Sequence, residues 1–184
     1  MQKKKSLTRL GLRVAVLCAL LSAFSIVFGK YLAIGVGDVL RFSFENLPVI
    51  FAGMALGPLG GVTVGVLSDL VGCVLVGYAI NPLVTVGAAV IGLVSGFYRF
   101  LPKRSGRVSR FLCVFATVIS AHLLGSVVVK TFGLAVFYSM PIGVLMLWRL
   151  LNYAIISAAE CLILYLLFEN KSIKVVLAKL LSRQ

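Results

Sequence analysis

Charge is scarce in this sequence of 184 residues: 12% of them are charged, and only five are acidic. An ordinary soluble domain has about one-quarter charged residues. With 61% hydrophobic residues and a mean hydropathy of +1.11, too little polar surface exists to cover a water-soluble body. Histidine occurs once, at His122, and the cysteines (Cys18, Cys73, Cys113, Cys161) stand singly in apolar stretches, without C-x-x-C spacing. No metal site or redox pair is expected, and the cysteines read as small buried hydrophobes. No segment fits G-x-x-x-x-G-K followed by Ser or Thr, the loop that holds a nucleotide's phosphates. No cofactor and no enzymatic activity are expected: there is no nucleophile with an evident base and no paired-carboxylate motif.

Long apolar runs are what the chain does have, and they imply an all-α integral membrane protein. At ~20 residues per span, six spans consume about 120 residues and leave loops and tails only, so ATP could drive it only through a partner. The spans are expected at about 10–29, 44–57, 60–78, 82–101, 111–129 and 142–168, followed by a basic tail at 169–184. The second is short, and is expected to tilt or sink among its neighbours. The first follows Lys3, Lys4, Lys5 and Arg9 like a signal peptide, but with no convincing A-x-A cleavage site it reads as a retained span. The cuts within the charge-poor middle fall at Gly57–Gly61 and Gly77–Pro82, which are rich in helix-breaking residues. A turn around Tyr138–Pro141 replaces a seventh span.

Charge placement argues for this count. Six spans put the amino terminus, the Arg99–Arg110 loop and the carboxy terminus on one side, with 14 of the 18 basic residues. The positive-inside rule makes that side, and both termini, cytoplasmic. The formal charge of +13 is then mostly a matter of topology and contact with the lipid bilayer, and no nucleic-acid partner is expected.

Four basic residues remain unexplained: Lys30, Arg41, Lys130 and Arg149. Cations toward the outer face with few acids beside them suit capture of an anionic solute. The plainer alternative is snorkelling to headgroups or local pairing, Lys30 with Asp38 or Arg41 with Glu45. In the last span Arg149, Asn152, Tyr153 and Glu160 share one helical stripe, which should face the interior or a cavity. Arg149 and Glu160 are ~16 Å apart along the axis, so each needs another partner or a ligand. Gly61, Gly65, Asp69, Cys73 and Gly77 form a small-residue face in the third span, with a similar face at Ala88, Gly92 and Gly96 in the fourth. Asp69 is expected to hydrogen-bond a buried neighbour or to help gate a solute path. Arg41-Phe42-Ser43-Phe44 places a cation among aromatic rings, suited to a flat anionic ligand. Tyr78 and Tyr138 are further aromatic candidates. Ala15, Ala19 and Ala23 repeat at helical spacing on one face of the first span, which by itself fits ordinary helix packing.

These pieces resemble the substrate-binding S component of an energy-coupling factor (ECF) vitamin transporter, of the folate family. The resemblance rests on Arg41-Phe-Ser-Phe-Glu-Asn-Leu-Pro48, Ala52-Gly-Met-Ala-Leu-Gly-Pro58, Ser68-Asp69-Leu-Val-Gly72, Ser126 to Tyr138, and Trp148-Arg-Leu-Leu-Asn152-Tyr. It implies a six-transmembrane-helix bundle that binds a folate-like vitamin near the outer side through Arg41, Phe42, Phe44, Tyr78, Lys130, Tyr138, Arg149 and Asn152. It also implies partners, a membrane coupling subunit and two cytoplasmic ATPases, with Ala15, Ala19 and Ala23 as the docking face for the coupling subunit. The stretch Tyr78-Ala-Ile-Asn-Pro-Leu-Val-Thr85 departs from that family's aromatic-Pro-Gly-Phe-Thr segment, which leaves another vitamin or a related pterin open. A stand-alone carrier coupled to ions through Asp69 and Glu160 is the competing reading.

Overall fold

The computed structural model describes residues 2–36, 40–101 and 106–181, with side chains for all but 2–10, 34–36, 40–41 and 180–181. Asp38, Lys103, Arg104 and Arg183, and the side chain of Arg41, lie outside the described residues. Helix α1 (Gln2–Ile26) runs on through one wide π-type turn at Val27–Tyr31. Strands β1 (Ile34–Val36) and β2 (Leu40–Phe42) then pair antiparallel, with Gly35 opposite Arg41. This hairpin is absent from the all-helical expectation, since three-residue strands are too short to leave a period-two signature.

Helices α2 (Asn46–Leu56), α3 (Pro58–Val76) and α4 (Pro82–Gly96) follow, reversing direction where glycine and proline dictate. Gly57 holds φ at 89°, a left-handed value that favours glycine, and Pro58 opens α3 at the position where its missing N–H costs nothing. At the start of α4 the Asn81 side chain accepts a hydrogen bond from the Leu83 amide at 3.0 Å, just ahead of Pro82. Helix α5 (Arg107–Ala121) continues through a π-type stretch, His122–Val129, into α6 (Lys130–Tyr138). This helical run passes the 111–129 span expected, because Lys130 is neutralised inside the protein instead of marking a membrane boundary. After a turn at Ser139–Pro141, α7 (Ile142–Glu169) returns, and α8 (Lys171–Leu181) occupies the expected basic tail.

Among the described residues, five helical runs are long and apolar enough to cross a membrane: Gly11–Tyr31, Pro58–Val76, Pro82–Phe100, Arg107–Tyr138 and Ile142–Glu169. The sixth element, α2, has 11 residues, about 16 Å at 1.5 Å per residue, roughly half the ~30 Å hydrocarbon core. It survives at that length by being enclosed: Val49, Ile50, Ala52 and Met54 join Val64, Ile91, Val118 and Leu164 in the buried core. Backbones approach most closely where α3 meets α4. A Cβ added at Gly61 would run into the Gly92 carbonyl, and one at Gly92 into the Gly61 backbone. The small-residue faces therefore pack within the bundle. Outward faces carry exposed Leu, Val, Phe and Ile side chains, an apolar surface suited to lipid.

Candidate ligand-binding cavity

A cavity of about 620 Å³ opens at the end of the bundle that holds the β-hairpin, with walls from α1, α3, α4, α6, α7 and the segment entering α2. Its size suits a small organic ligand. Four expected residues, Lys130, Tyr138, Arg149 and Asn152, line it together. They come from two helices joined by the Ser139–Pro141 turn, so the α6/α7 reversal brings both cations to one wall.

The cations differ in their surroundings. Lys130 is only 5% exposed; its Nζ donates to Glu45 Oε1 at 3.1 Å and to Asn46 Oδ1 at 3.4 Å. Arg149 donates from Nε to the Ser126 carbonyl at 3.1 Å, and its Nη2 lies 3.4 Å from the Tyr153 hydroxyl. Its guanidinium also stands 5.3 Å from the centroid of the Tyr153 ring. No carboxylate among the described residues forms an ion pair with it. The π-type stretch is part of this geometry: its widened turns leave the Ser126 carbonyl available to a side chain on α7.

Lys30 lines the cavity as well, with its ammonium 5.2 Å from the centroid of the Tyr78 ring. Asp69 lies on the same wall and accepts a 2.6 Å hydrogen bond from the Thr85 hydroxyl, the neighbouring partner expected for it. Tyr78, Phe42 and Phe44 do not line the cavity: Tyr78 stands behind Lys30, Phe42 belongs to β2 and Phe44 is exposed before α2. Arg41 has its backbone in β2, which packs on α7. Glu45, Trp148 and Tyr153 line the cavity without having been singled out as binding residues. Trp148 and Tyr153 flank Arg149 in the Trp148-Arg149 and Arg149-Leu-Leu-Asn-Tyr spacing, the one signal that could have found them.

The interior stripe of α7 is present as expected, with Asn152 and Glu160 buried. The partner of Glu160 is His122, at 2.6 Å between Oε2 and Nε2. On α1 the side chains of Ala15, Ala19 and Ala23 are exposed and take no part in packing the bundle.

Comparison with known proteins identifies this architecture. The profile of the family "ECF transporter, substrate-specific component" matches residues 13–181. The chain belongs to that family. As an ECF substrate-specific component it is a multi-pass membrane protein whose family serves transport. It is 28% identical over 153 residues to the folate transporter FolT of Clostridium novyi (strain NT), a match covering 83% of this chain and 86% of that protein. Among solved structures, a crystal structure of FolT bound with folic acid superposes with a TM-score of 0.67 at 20% identity, covering 84% of this chain and 90% of that one. The S component for biotin from an ECF-type ABC transporter gives 0.57 at 18% identity, covering 92% and 93%. Both share the fold of this ECF substrate-specific component.

Proposed function

We propose that this substrate-specific component binds folate or a related pterin and delivers it to an importer powered by ATP hydrolysis in partner subunits. The observation that carries the reading is Arg149 on the wall of a cavity of about 620 Å³, with no ion pair of its own among the described residues. A carboxylate from the ligand supplies the ion pair that this guanidinium lacks among the described residues. The aromatic rings of Tyr138, Trp148 and Tyr153 offer flat surfaces for a conjugated ring system, and Asp69 and Glu45 offer acceptors to its N–H edges. Similarity to folate transporter FolT supports this choice of substrate class. Lys130, held by Glu45, contributes a second positive group, and Asn152 an amide. Arg41, Phe42, Phe44 and Tyr78 belong to the segments beside the cavity and complete the proposed binding set.

The partners are a membrane coupling subunit and two cytoplasmic ATPases. Ala15, Ala19 and Ala23 are assigned to the contact with the coupling subunit; their exposure on α1 supports a helix-to-helix approach there. Both termini are assigned to the cytoplasm.

Isothermal calorimetry of the purified protein with folic acid, beside biotin as a comparison, tests the substrate. Binding of folic acid and not of biotin is expected; binding of biotin alone would overturn the assignment. Vesicles holding this protein alone should bind folic acid without accumulating it, and accumulation without partners would favour the stand-alone carrier.

A further inference from the structure

Beneath the cavity lies a line of buried polar side chains that the binding set does not use. Asn46 on α2, Ser126 and His122 on the π-type stretch, and Glu160 on α7 are each buried, with His122 at 2% exposure and Glu160 at 0%. Asn46 and Ser126 connect them to the cavity cation Lys130. Successive contacts run Lys130 Nζ to Asn46 Oδ1 at 3.4 Å, Asn46 Nδ2 to Ser126 Oγ at 3.5 Å, Ser126 Oγ to His122 Nδ1 at 3.3 Å, and His122 Nε2 to Glu160 Oε2 at 2.6 Å.

Donor and acceptor capacity fixes the first two links, and the tautomer of His122 sets the other two. An ammonium only donates, so the Asn46 oxygen faces Lys130 and its NH₂ faces Ser126. Ser126 Oγ accepts from that amide, and a relay requires its own hydrogen to face His122 Nδ1. Nδ1 is then an acceptor, which leaves the ring proton on Nε2, aimed at the Glu160 carboxylate. In this arrangement all four hydrogen bonds point the same way, from the Lys130 ammonium to the Glu160 carboxyl group. Links aligned in this manner polarise one another in a low-dielectric interior. Glu160 Oε1 has no hydrogen-bond partner among the described residues, so this end of the line hangs on the single contact with His122.

Two further contacts tie the same line to Arg149. The Ser126 carbonyl accepts from Arg149 Nε, and the His122 ring stacks on Tyr153, centroids 4.9 Å apart, whose hydroxyl lies beside Arg149 Nη2.

We propose that Lys130, Asn46, Ser126, His122 and Glu160 form a polarised hydrogen-bond relay that sets the positions of Lys130 and Arg149, making His122 and Glu160 positioning residues for ligand capture. They act without touching the ligand. The relay rests on the cavity's being the ligand site, as proposed above, but its internal polarity stands apart from the identity of the ligand.

His122 is the sole histidine of the chain, so ¹⁵N-histidine labelling of the full-length protein in lipid nanodiscs reports one imidazole. The expected spectrum has a protonated Nε2 and an unprotonated Nδ1. An imidazolium protonated on both nitrogens, or a proton on Nδ1 alone, would overturn the relay. Lys130→Met removes the positive end and is expected to shift the Nδ1 resonance without any ligand, three links away; an unmoved resonance would also overturn it. Calorimetry with folic acid supplies the second arm. Ser126→Ala should weaken binding about tenfold, the scale of one hydrogen bond, and Glu160→Gln by several-fold while keeping the Nε2 proton. Unchanged affinity in both variants would overturn the positioning role. If the wild-type protein does not bind folic acid at all, the substrate assignment fails, and the Lys130→Met spectrum still decides the relay.

Discussion

Two cations share one wall of the cavity, and their surroundings give them different expected mutational effects. Among the described residues Arg149 has neutral hydrogen-bond partners only, so Arg149→Ala removes ligand contacts while breaking no ion pair within the protein. Loss of charge-assisted hydrogen bonds worth about 1.5–3 kcal/mol predicts roughly 10–150-fold weaker binding of folic acid by calorimetry, with little change in thermal stability. Unchanged affinity would remove Arg149 from the site. Lys130→Met should instead cost stability, because it leaves Glu45 without its ion-pair partner. The Glu45 side chain is 30% exposed, so the loss should be about 1–3 kcal/mol, below the ~3–5 kcal/mol seen when a fully buried pair is broken. Adding Glu45→Gln to Lys130→Met should recover most of that stability in thermal unfolding, though not affinity. The single residues Lys130, Arg149, Asn152 and Asp69 could be singled out from the sequence because a polar group within an apolar run must be paired or used. Glu45 as the partner of Lys130, and His122 as the partner of Glu160, could not: they are 85 and 38 residues away, and nothing in a helical period says which face of another helix will meet it.

Among the elements, α2, α3 and α4 depend on backbone contact that side chains would forbid. Gly61→Val should push α3 off α4, since the added Cβ meets the Gly92 carbonyl, which cannot move without its helix. Overpacking of this kind costs about 1–3 kcal/mol or more, read as a fall in the unfolding temperature in detergent. A variant as stable as the parent would mean that the two helices are not held at that distance. Ala19→Leu makes a contrast on α1. Its site is exposed, so the fold and folic acid binding should be unaffected, while co-purification with the coupling subunit is lost. Normal co-purification would remove the alanine face from the interface. The Gly57–Pro58 and Asn81–Pro82 boundaries were legible because each uses residues that a helix interior rejects. The hairpin at Ile34–Phe42 and the run past Val129 were not. The first is too short to show a period, and the second continues only because tertiary pairing shelters Lys130.

At the scale of the whole molecule, charge divides between the two ends of the bundle. The end with the cavity holds Lys30, Lys130 and Arg149 beside Glu45 and Asp69. The opposite end holds Arg99, Arg110, Glu169 and the lysines of α8, with Arg110 Nε 2.6 Å from Glu169 Oε1 where α5 begins and α7 ends. That pair, open to water on both sides, contributes little to stability. The basic excess around it matters more for orientation, because lysine and arginine in short loops resist transfer across the membrane. If the termini are cytoplasmic, as proposed above, the cavity end faces outward, and its cations Lys30, Lys130 and Arg149 each sit in the protein against an acid, a ring or a carbonyl. A cysteine introduced at Gly106, in a chain whose four native cysteines are replaced by alanine or serine, should therefore resist a membrane-impermeant maleimide added to intact cells and react once the membrane is opened. A cysteine introduced at Ser139, in the turn beside the cavity, should react in intact cells. The reverse pattern would place the cavity on the cytoplasmic side, where it could not capture a solute from outside, and would overturn the import reading even with every contact in the cavity unchanged.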